Sequence, residues 1–297
     1  MTVRVLGSAA GGGFPQWNCR CAVCALAWEN DARVAWRTQT GLAVSGDGRT
    51  WILLNASPDL RIQLAAARPL RPNGAPRGSP VAAVVLTGAE IDQAAGLLHL
   101  REGHAFSLFG SPDTLATLAE NPMFRALAQD KVVRCAVAPG KPFPLPGGLE
   151  AEVFPVPGKL PLYLEDRAAD HAWDAATAGL EIRRGDVRLV FVPGCAGLPP
   201  RLVERLAAAD LLFFDGTLFT DDEMIRAGAG KKTGRRMGHM PVGGPDGSLA
   251  ALAGLRNRRF YIHMNNTNPL LVEGSPERRA AEAAGWEIAA DGLEVEL

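Results

Sequence analysis

At 297 residues the chain is long enough to bury a sizeable core, as one large domain or two small ones. With 47% hydrophobic residues, 21% charged residues and a net charge of −1, it has the make-up of a soluble globular protein. It lacks the basic excess expected of a nucleic-acid binder or of a protein drawn to an anionic membrane. No apolar run approaches the roughly 20 residues of a membrane span. The N-terminus enters TVRVLGSAAGGG without the basic start and apolar core of a signal peptide, so a cytoplasmic chain is expected.

Val3, Val5 and Leu6 predict a first strand, broken by Gly7 and then by Gly11 to Gly13. A glycine run after a strand can cradle phosphate, but the GxGxxG spacing is absent and no clear helix follows. A tight backbone path is the better reading. Next come Cys19, Cys21 and Cys24, spaced C-x-C-x-x-C. Three thiolates this close, with one further ligand, describe a structural zinc site. A redox pair is the alternative, since a C-x-x-C lies inside the motif. The third cysteine and the lack of a thioredoxin-like setting favour metal. No histidine is near in sequence, so the fourth ligand must arrive from a distance or from a neighbouring chain.

Residues 42–45 and 51–54 flank Gly46-Asp47-Gly48 as a hairpin. Residues 68–80, rich in Pro, Gly and Arg, form a loop or linker. The stretch 81–102 reads VAAVVLTGAEIDQAAGLLHLRE. Its first six residues suit a strand buried on both faces. Thr87, Gly88, Glu90, Asp92 and Gln93 follow at once, and Ile91, Ala94, Ala95 and Leu98 then recur at helical spacing. Ligands bind at such strand-to-helix junctions in open α/β sheets. The plain alternative makes Glu90 and Asp92 caps that complement a helix dipole.

Repetition favours a site. Apolar runs at 51–54, 190–192, 211–214 and 260–262 open respectively onto Asn55, Ser57 and Asp59; Pro193, Gly194 and Cys195; Asp215, Gly216 and Thr217; and His263, Asn265 and Asn266. Further strands are expected at 106–109 and 132–137, with a helix at 115–120 between them. A proline-rich connection, 139–148, leads into a second βα-rich half from residue 149. There, strands at 180–182 and 187–192 flank Arg183-Arg184-Gly185-Asp186 as a second hairpin. Residues 221–248 are glycine-rich with no apolar period, and loops of that length usually carry function or are disordered. This loop holds Lys231, Lys232, Arg235 and Arg236 around Gly234, then Gly238, His239 and Met240. His99, His104 and His171 have no motif support and are expected at the surface or in packing.

These motifs resemble the metallo-β-lactamase superfamily, whose members carry T-H-x-H-x-D-H-x-x-G after a buried strand. Thr87, Asp92 and Gly96 match that frame, while Gly88, Glu90 and Gln93 stand where the superfamily has three histidines. That substitution pattern is similar to the family of coenzyme pyrroloquinoline quinone (PQQ) synthesis B proteins, although relatives there keep histidine at the position of Gln93. The resemblance covers essentially the whole chain. Its most specific segments are GGGFPQWNCRCAVC (11–24), FVPGCAGLP (191–199), the loop at 212–248 and YIHMNNTNPLL (261–271).

The resemblance implies an α/β fold, a four-layer αββα sandwich forming one domain of two similar halves, about 1–148 and 149–297. The site would lie at the strand ends between the sheets. Asp215 falls on the bridging metal-ligand aspartate and His263 on the last metal-ligand histidine. The histidine usual near residues 154–159 is missing. A related phosphodiesterase subgroup has the same C-x-C-x-x-C as a structural zinc site, which supports zinc at Cys19, Cys21 and Cys24, beside a homodimer contact.

Glu90, Asp92, Gln93, Asp215 and His263 are the candidate active-site metal ligands, and His239 and Asp92 the candidate catalytic residues. With few histidines and several oxygens, this set disfavours a dinuclear zinc hydrolase. A single Fe(II) with open positions fits better, with Mn(II) or zinc as alternatives. The family resemblance implies a role in PQQ synthesis, hydroxylating the tyrosine ring of a Glu-Tyr unit from a precursor peptide. Alternatives are a metal-dependent hydrolase and a non-catalytic carrier of PQQ or its precursor. Arg235 and Arg236 are the candidate substrate-binding residues, on a basic lid formed by residues 231–240 and suited to a substrate or PQQ intermediate rich in carboxylates.

Overall fold

The structure, a computed structural model, describes residues 1–72, 77–161, 163–164 and 177–297. His171 and part of the 68–80 loop lie outside the described residues. Among the described residues, fourteen strands form two seven-stranded sheets. The first sheet holds β1 (Thr2–Gly7), β2 (Gly41–Ser45), β3 (Trp51–Leu54), β4 (Val81–Val85), β5 (Phe106–Gly110) and β6 (Val132–Ala136). The second holds β7 (Phe143–Leu145), β8 (Leu149–Val156), β9 (Thr177–Arg184), β10 (Val187–Val192), β11 (Leu211–Asp215), β12 (Arg258–Ile262) and β13 (Glu287–Ile288). The last strand, β14 (Glu294–Glu296), returns to the first sheet and pairs antiparallel with β1.

Period-two alternation builds the layers. Leu42, Val44, Ile52 and Leu54 face Leu211, Phe213, Phe260 and Ile262 in the core between the sheets. Their neighbours point the other way. Ala43, Trp51 and Leu53 pack under the helices of the first half, and Leu212, Phe214 and Tyr261 under those of the second. Both faces of each central strand are thus covered, which is why these strands read as continuous apolar runs. Two outer helices start where Ser precedes Pro. The Ser111 hydroxyl accepts the Thr114 N–H at 3.1 Å and Ser275 that of Arg278 at 3.0 Å, capping helices Pro112–Glu120 and Pro276–Ala283. The result is the expected αββα sandwich.

Strands β3 to β6 run parallel, as do β10 to β13, so each sheet brings several C-terminal ends to one edge. The helix expected after β4 is shorter than its apolar spacing predicts: one α-turn, Ile91–Ala94, then 3-10 structure over Ala95–Leu100. Gly96 explains the change. Its N–H bonds the Ala56 carbonyl at 2.8 Å rather than continuing the helix, and a Cβ there would lie 2.0 Å from the Ser57 oxygen.

Phe213 is fully buried between the sheets and stacks on Phe260 with ring centroids 5.0 Å apart. Phe213→Ala should therefore destabilise the protein by about 3–5 kcal/mol, read as a lower urea midpoint. A shift below about 1 kcal/mol would mean that this layer is not tightly packed.

Candidate metal centres

Asp215 ends β11 with no solvent exposure. One carboxylate oxygen accepts the Thr217 N–H (3.0 Å) and hydroxyl (2.6 Å), and the other accepts the Cys195 N–H (2.8 Å) and lies 2.7 Å from His239 Nδ1. The Thr217 hydroxyl oxygen is also 3.0 Å from His239 Nδ1 and 2.8 Å from His263 Nδ1. Across the gap between the sheets, His263 Nε2 lies 2.9 Å from Asp92 Oδ2. The two imidazoles stack with centroids 5.3 Å apart. Asp215, His239 and His263 each bring a ligand atom to within 4.8 Å of the others, the arrangement of one carboxylate and two imidazoles about a single ion.

Electrostatics reinforces the grouping. Burial would raise the Asp92 carboxyl, but the hydrogen bond and charge of His263 outweigh it and hold the group below its ordinary value. Burial likewise opposes ionisation of Asp215, and His239, His263 and Thr217 overcome it. His263 is pushed up, because Asp92 and Asp215 outweigh desolvation. Asp92 and His263 thus each favour the other's charged form.

His263 sits at φ 63°, left-handed backbone that a non-glycine residue keeps only when its surroundings enforce it. The loop beyond supplies the enforcement. Met264 N–H bonds the Ser8 carbonyl (3.0 Å), Asn265 N–H bonds that of Thr217 (2.9 Å), and Asn268 Nδ2 bonds that of Gly216 (2.7 Å). Asn265 Nδ2 donates to the Thr267 hydroxyl, which donates to buried Glu223 at 2.6 Å. On the first sheet, left-handed Asn55 accepts the Thr87 N–H at 2.9 Å and donates to the Thr87 hydroxyl at 2.9 Å.

His239, His263, Thr217 and Asp92 line a cavity of about 530 Å³, together with Gly11, Gly12, Met237 and two cations, Lys159 and Lys232, while Asp215 lies behind them. Glu90 and Gln93 line it too, but the structure does not bring them into the metal-binding group. They form a capping box, with Gln93 Oε1 accepting the Glu90 N–H at 3.3 Å, and Glu90 pairs with Lys159 at 3.9 Å. Arg235 and Arg236 are exposed on the 3-10 turn Arg235–Met237 and do not line the cavity. His99 contacts the Pro58 carbonyl at 3.2 Å and His104 stacks on Phe106, both away from the cluster. In the sequence Thr217 stands out only as one of the polar residues beyond β11, and its hydroxyl's contacts with both imidazoles appear only in the fold.

The cysteines form the second group. Their three sulfurs lie within 4.8 Å of one another, and Cys21 caps helix Ala22–Trp28. A hydrogen bond from Cys21 draws the Cys24 thiol down against the effect of burial, and the Asn266 amide adds to it. Asn266 Nδ2 reaches Cys19, Cys24 and Cys21 Sγ at 3.1, 3.3 and 3.8 Å. The three sulfur donors suit zinc, and Asn266, distant in sequence, packs its amide against them.

Two mixed sheets with a buried Asp-His-His cluster at their strand ends define a protein of the metallo-β-lactamase class. A family profile described as "Beta-lactamase superfamily domain" matches residues 50–264. The chain is 50% identical to coenzyme PQQ synthesis protein B of Methylorubrum extorquens over 299 aligned residues, covering 100% of both. Zn(2+)-bound PqqB from Methylobacterium extorquens superposes on it with a TM-score of 0.97 at 49% identity, covering 100% of both chains. A diphosphatase from the PhnP family aligns with a TM-score of 0.68 at 20% identity, covering 100% of this chain and 97% of its own, a likeness of fold alone. The chain belongs to the coenzyme PQQ synthesis protein B family.

No helix among the described residues is long and apolar enough to cross a membrane.

Burial pushes Glu223 up to about 7, against the hydrogen bonds from Thr267 and Phe219. Between pH 4.5 and 7 the unfolded chain releases this proton while the folded chain keeps it, so stability falls as pH rises and levels off above 7. Relative to Glu223→Gln, the wild type should lose on the order of 3 kcal/mol across that window in urea titrations. A constant difference from pH 4.5 to 8 would mean that Glu223 ionises normally.

Proposed function

We propose that the protein acts in PQQ synthesis by hydroxylating the tyrosine ring of a Glu-Tyr unit, with one metal ion held by Asp215, His239 and His263. The observation that carries this reading is the group of one buried carboxylate and two imidazoles, the imidazoles lining a substrate-sized cavity. Asp215, His239 and His263 would hold the ion, and Fe(II) held there would supply dioxygen activation. One oxygen atom enters the ring and the other leaves as water, with two electrons from a small-molecule reductant. Thr217 and Asp215 orient the imidazoles, and Asp92 is placed to take or return a proton at His263 Nε2. Lys159 and Lys232 offer positive charge to the substrate's carboxylates, and Arg235 and Arg236 add attraction from outside.

A hydrolase of the superfamily type needs more ligands in the first half, where this chain has Gly88 and has Glu90 and Gln93 engaged with each other. The cysteine group is assigned a structural zinc, apart from turnover.

Protein purified without oxygen and loaded with iron should consume oxygen stoichiometrically with a hydroxylated Glu-Tyr product. Asp215→Asn should lose the iron and at least 100-fold of the rate while keeping zinc at the cysteines. Oxygen-independent turnover of a phosphodiester or lactone would replace this reading with the hydrolase. Tight PQQ binding by metal-free protein, without turnover, would replace it with the carrier.

Lys232→Ala should weaken Glu-Tyr binding about tenfold, the loss of one charged hydrogen bond, with metal occupancy unchanged. The double change Arg235→Ala with Arg236→Ala should have a smaller effect, seen at low salt and screened at high salt. Normal binding by both at low salt would rule out the basic segment as a substrate contact.

A further inference from the structure

We propose that Asn265 receives the phenol hydroxyl of the substrate ring on its amide oxygen. Glu223, acting through Thr267, is the positioning residue that turns this oxygen toward the cavity. Both roles rest on the reading of a Glu-Tyr unit as substrate. Among the described residues three neutral amides line the cavity, Gln39, Gln93 and Asn265. Gln39 Oε1 accepts the Gly12 N–H at 3.2 Å and Gln93 Oε1 the Glu90 N–H at 3.3 Å, so both oxygens are engaged within the protein. Asn265 Oδ1 differs, for it meets no donor among the described residues. Asn265 stands two residues beyond His263, and its N–H on the Thr217 carbonyl, 2.9 Å, holds it beside the metal-binding group. A ring whose carbon reacts at that group brings its own hydroxyl close by, and a neutral acceptor suits a neutral O–H donor.

Donor counting fixes the direction of the Asn265 amide. Glu223 is buried, with one oxygen accepting the Phe219 N–H at 2.7 Å and the other facing the Thr267 hydroxyl at 2.6 Å. A carboxylate only accepts, so Thr267 gives its single proton there and accepts in turn from Asn265 Nδ2, 2.7 Å away. The amide oxygen is left for the cavity. In Glu223→Gln the order reverses. The fixed Phe219 N–H takes the new amide oxygen, the new amide nitrogen donates to Thr267, and Thr267 donates to Asn265, whose Nδ2 then faces the cavity. Protonation of Glu223 does the same. Burial lifts this carboxyl to about 7, opposed by the Thr267 hydroxyl, the Phe219 and Thr220 backbone and the charge of Arg226. On its own turn, Asp221 accepts the Arg235 N–H at 2.8 Å and Asp222 pairs with Arg226 at 3.2 Å. The loop packed against it, residues 265–268, carries no ionisable side chain. Above that pH the substrate meets an acceptor, and below it a donor.

The test measures binding to full-length protein loaded with zinc and kept free of oxygen. Its probes are Glu-Tyr, Glu-Phe, which lacks the hydroxyl, and Glu-(4-methoxyphenylalanine), whose ether oxygen only accepts. At pH 8 wild type should bind Glu-Tyr about tenfold tighter than Glu-Phe, and Asn265→Leu, of similar shape, should bind the two alike. Glu223→Gln should improve the methoxy ligand about tenfold relative to Glu-Phe, a reversal of preference that loss of packing does not produce. Lowering the pH from 8 to 6 should move the same ratio in wild type and leave it unmoved in Glu223→Gln. If wild type binds no Glu-Tyr, the substrate reading fails and this inference with it. If Glu-Tyr binds and Asn265→Leu keeps the preference over Glu-Phe, the Asn265 contact alone is overturned. If Asn265→Leu loses that preference but the methoxy ligand gains nothing in Glu223→Gln, the positioning role of Glu223 is overturned. Should Asn265→Leu not fold, identical preferences in wild type and Glu223→Gln at pH 8 would overturn the proposal as well.

Discussion

The burial of the Asp215 carboxylate organises the active half of this molecule. A carboxylate with no exposure costs several kcal/mol unless its lone pairs are met, and here four donors meet them. Meeting them recruits three separate loops. The turn after β10 aims the Cys195 N–H inward, the turn after β11 supplies Thr217, and the long loop at 221–248 delivers His239. A backbone bond from Met240 N–H to the Cys195 carbonyl, 2.7 Å, straps the last of these to the first. Through Thr217 the same carboxylate sets His263, and through His263 it reaches Asp92 on the other sheet. The sandwich is closed at this edge by charge as well as by apolar packing.

How legible this was depended on sequence distance. The hairpins, the buried strands and their polar ends could be read because period-two alternation and turn glycines are local signals. Asp215 and His263 stood out as the residues that interrupt apolar runs. His239 was ambiguous, because no periodicity marks a loop residue and only the Met240 strap fixes its place. Asn266 was out of reach, since its partners lie more than 240 residues away. Glu90 and Gln93 show a different limit. The same side chains suit a ligand and a capping box, and composition cannot choose between them. The spacing after β4 predicted a longer helix than Gly96 permits, because its close approach to Ser57 is a tertiary fact.

The two centres differ in kind. The cysteine group comes mostly from one short stretch and caps the helix that follows it. The Asp-His-His group has no two members closer than 24 residues and depends on the whole second sheet being in place. A local group can form early and persist through partial unfolding, whereas the distributed one exists only in the finished fold.

The pairing of β14 with β1 has a consequence for how the chain is made. Arg4 and Glu294 meet at 2.8 Å although 290 residues separate them in sequence. During synthesis β1 can pair with β2 soon after both emerge, but its other edge waits for almost the entire chain. Until then the first sheet presents an unpaired strand to its neighbours on the ribosome, the kind of edge that templates misassembly. The alternation of Thr2 and Arg4 with the apolar residues of β1 sets polar side chains along that waiting edge. Translation speed and chaperone access therefore bear on the yield of this fold in a way that the stability of the finished molecule does not reveal.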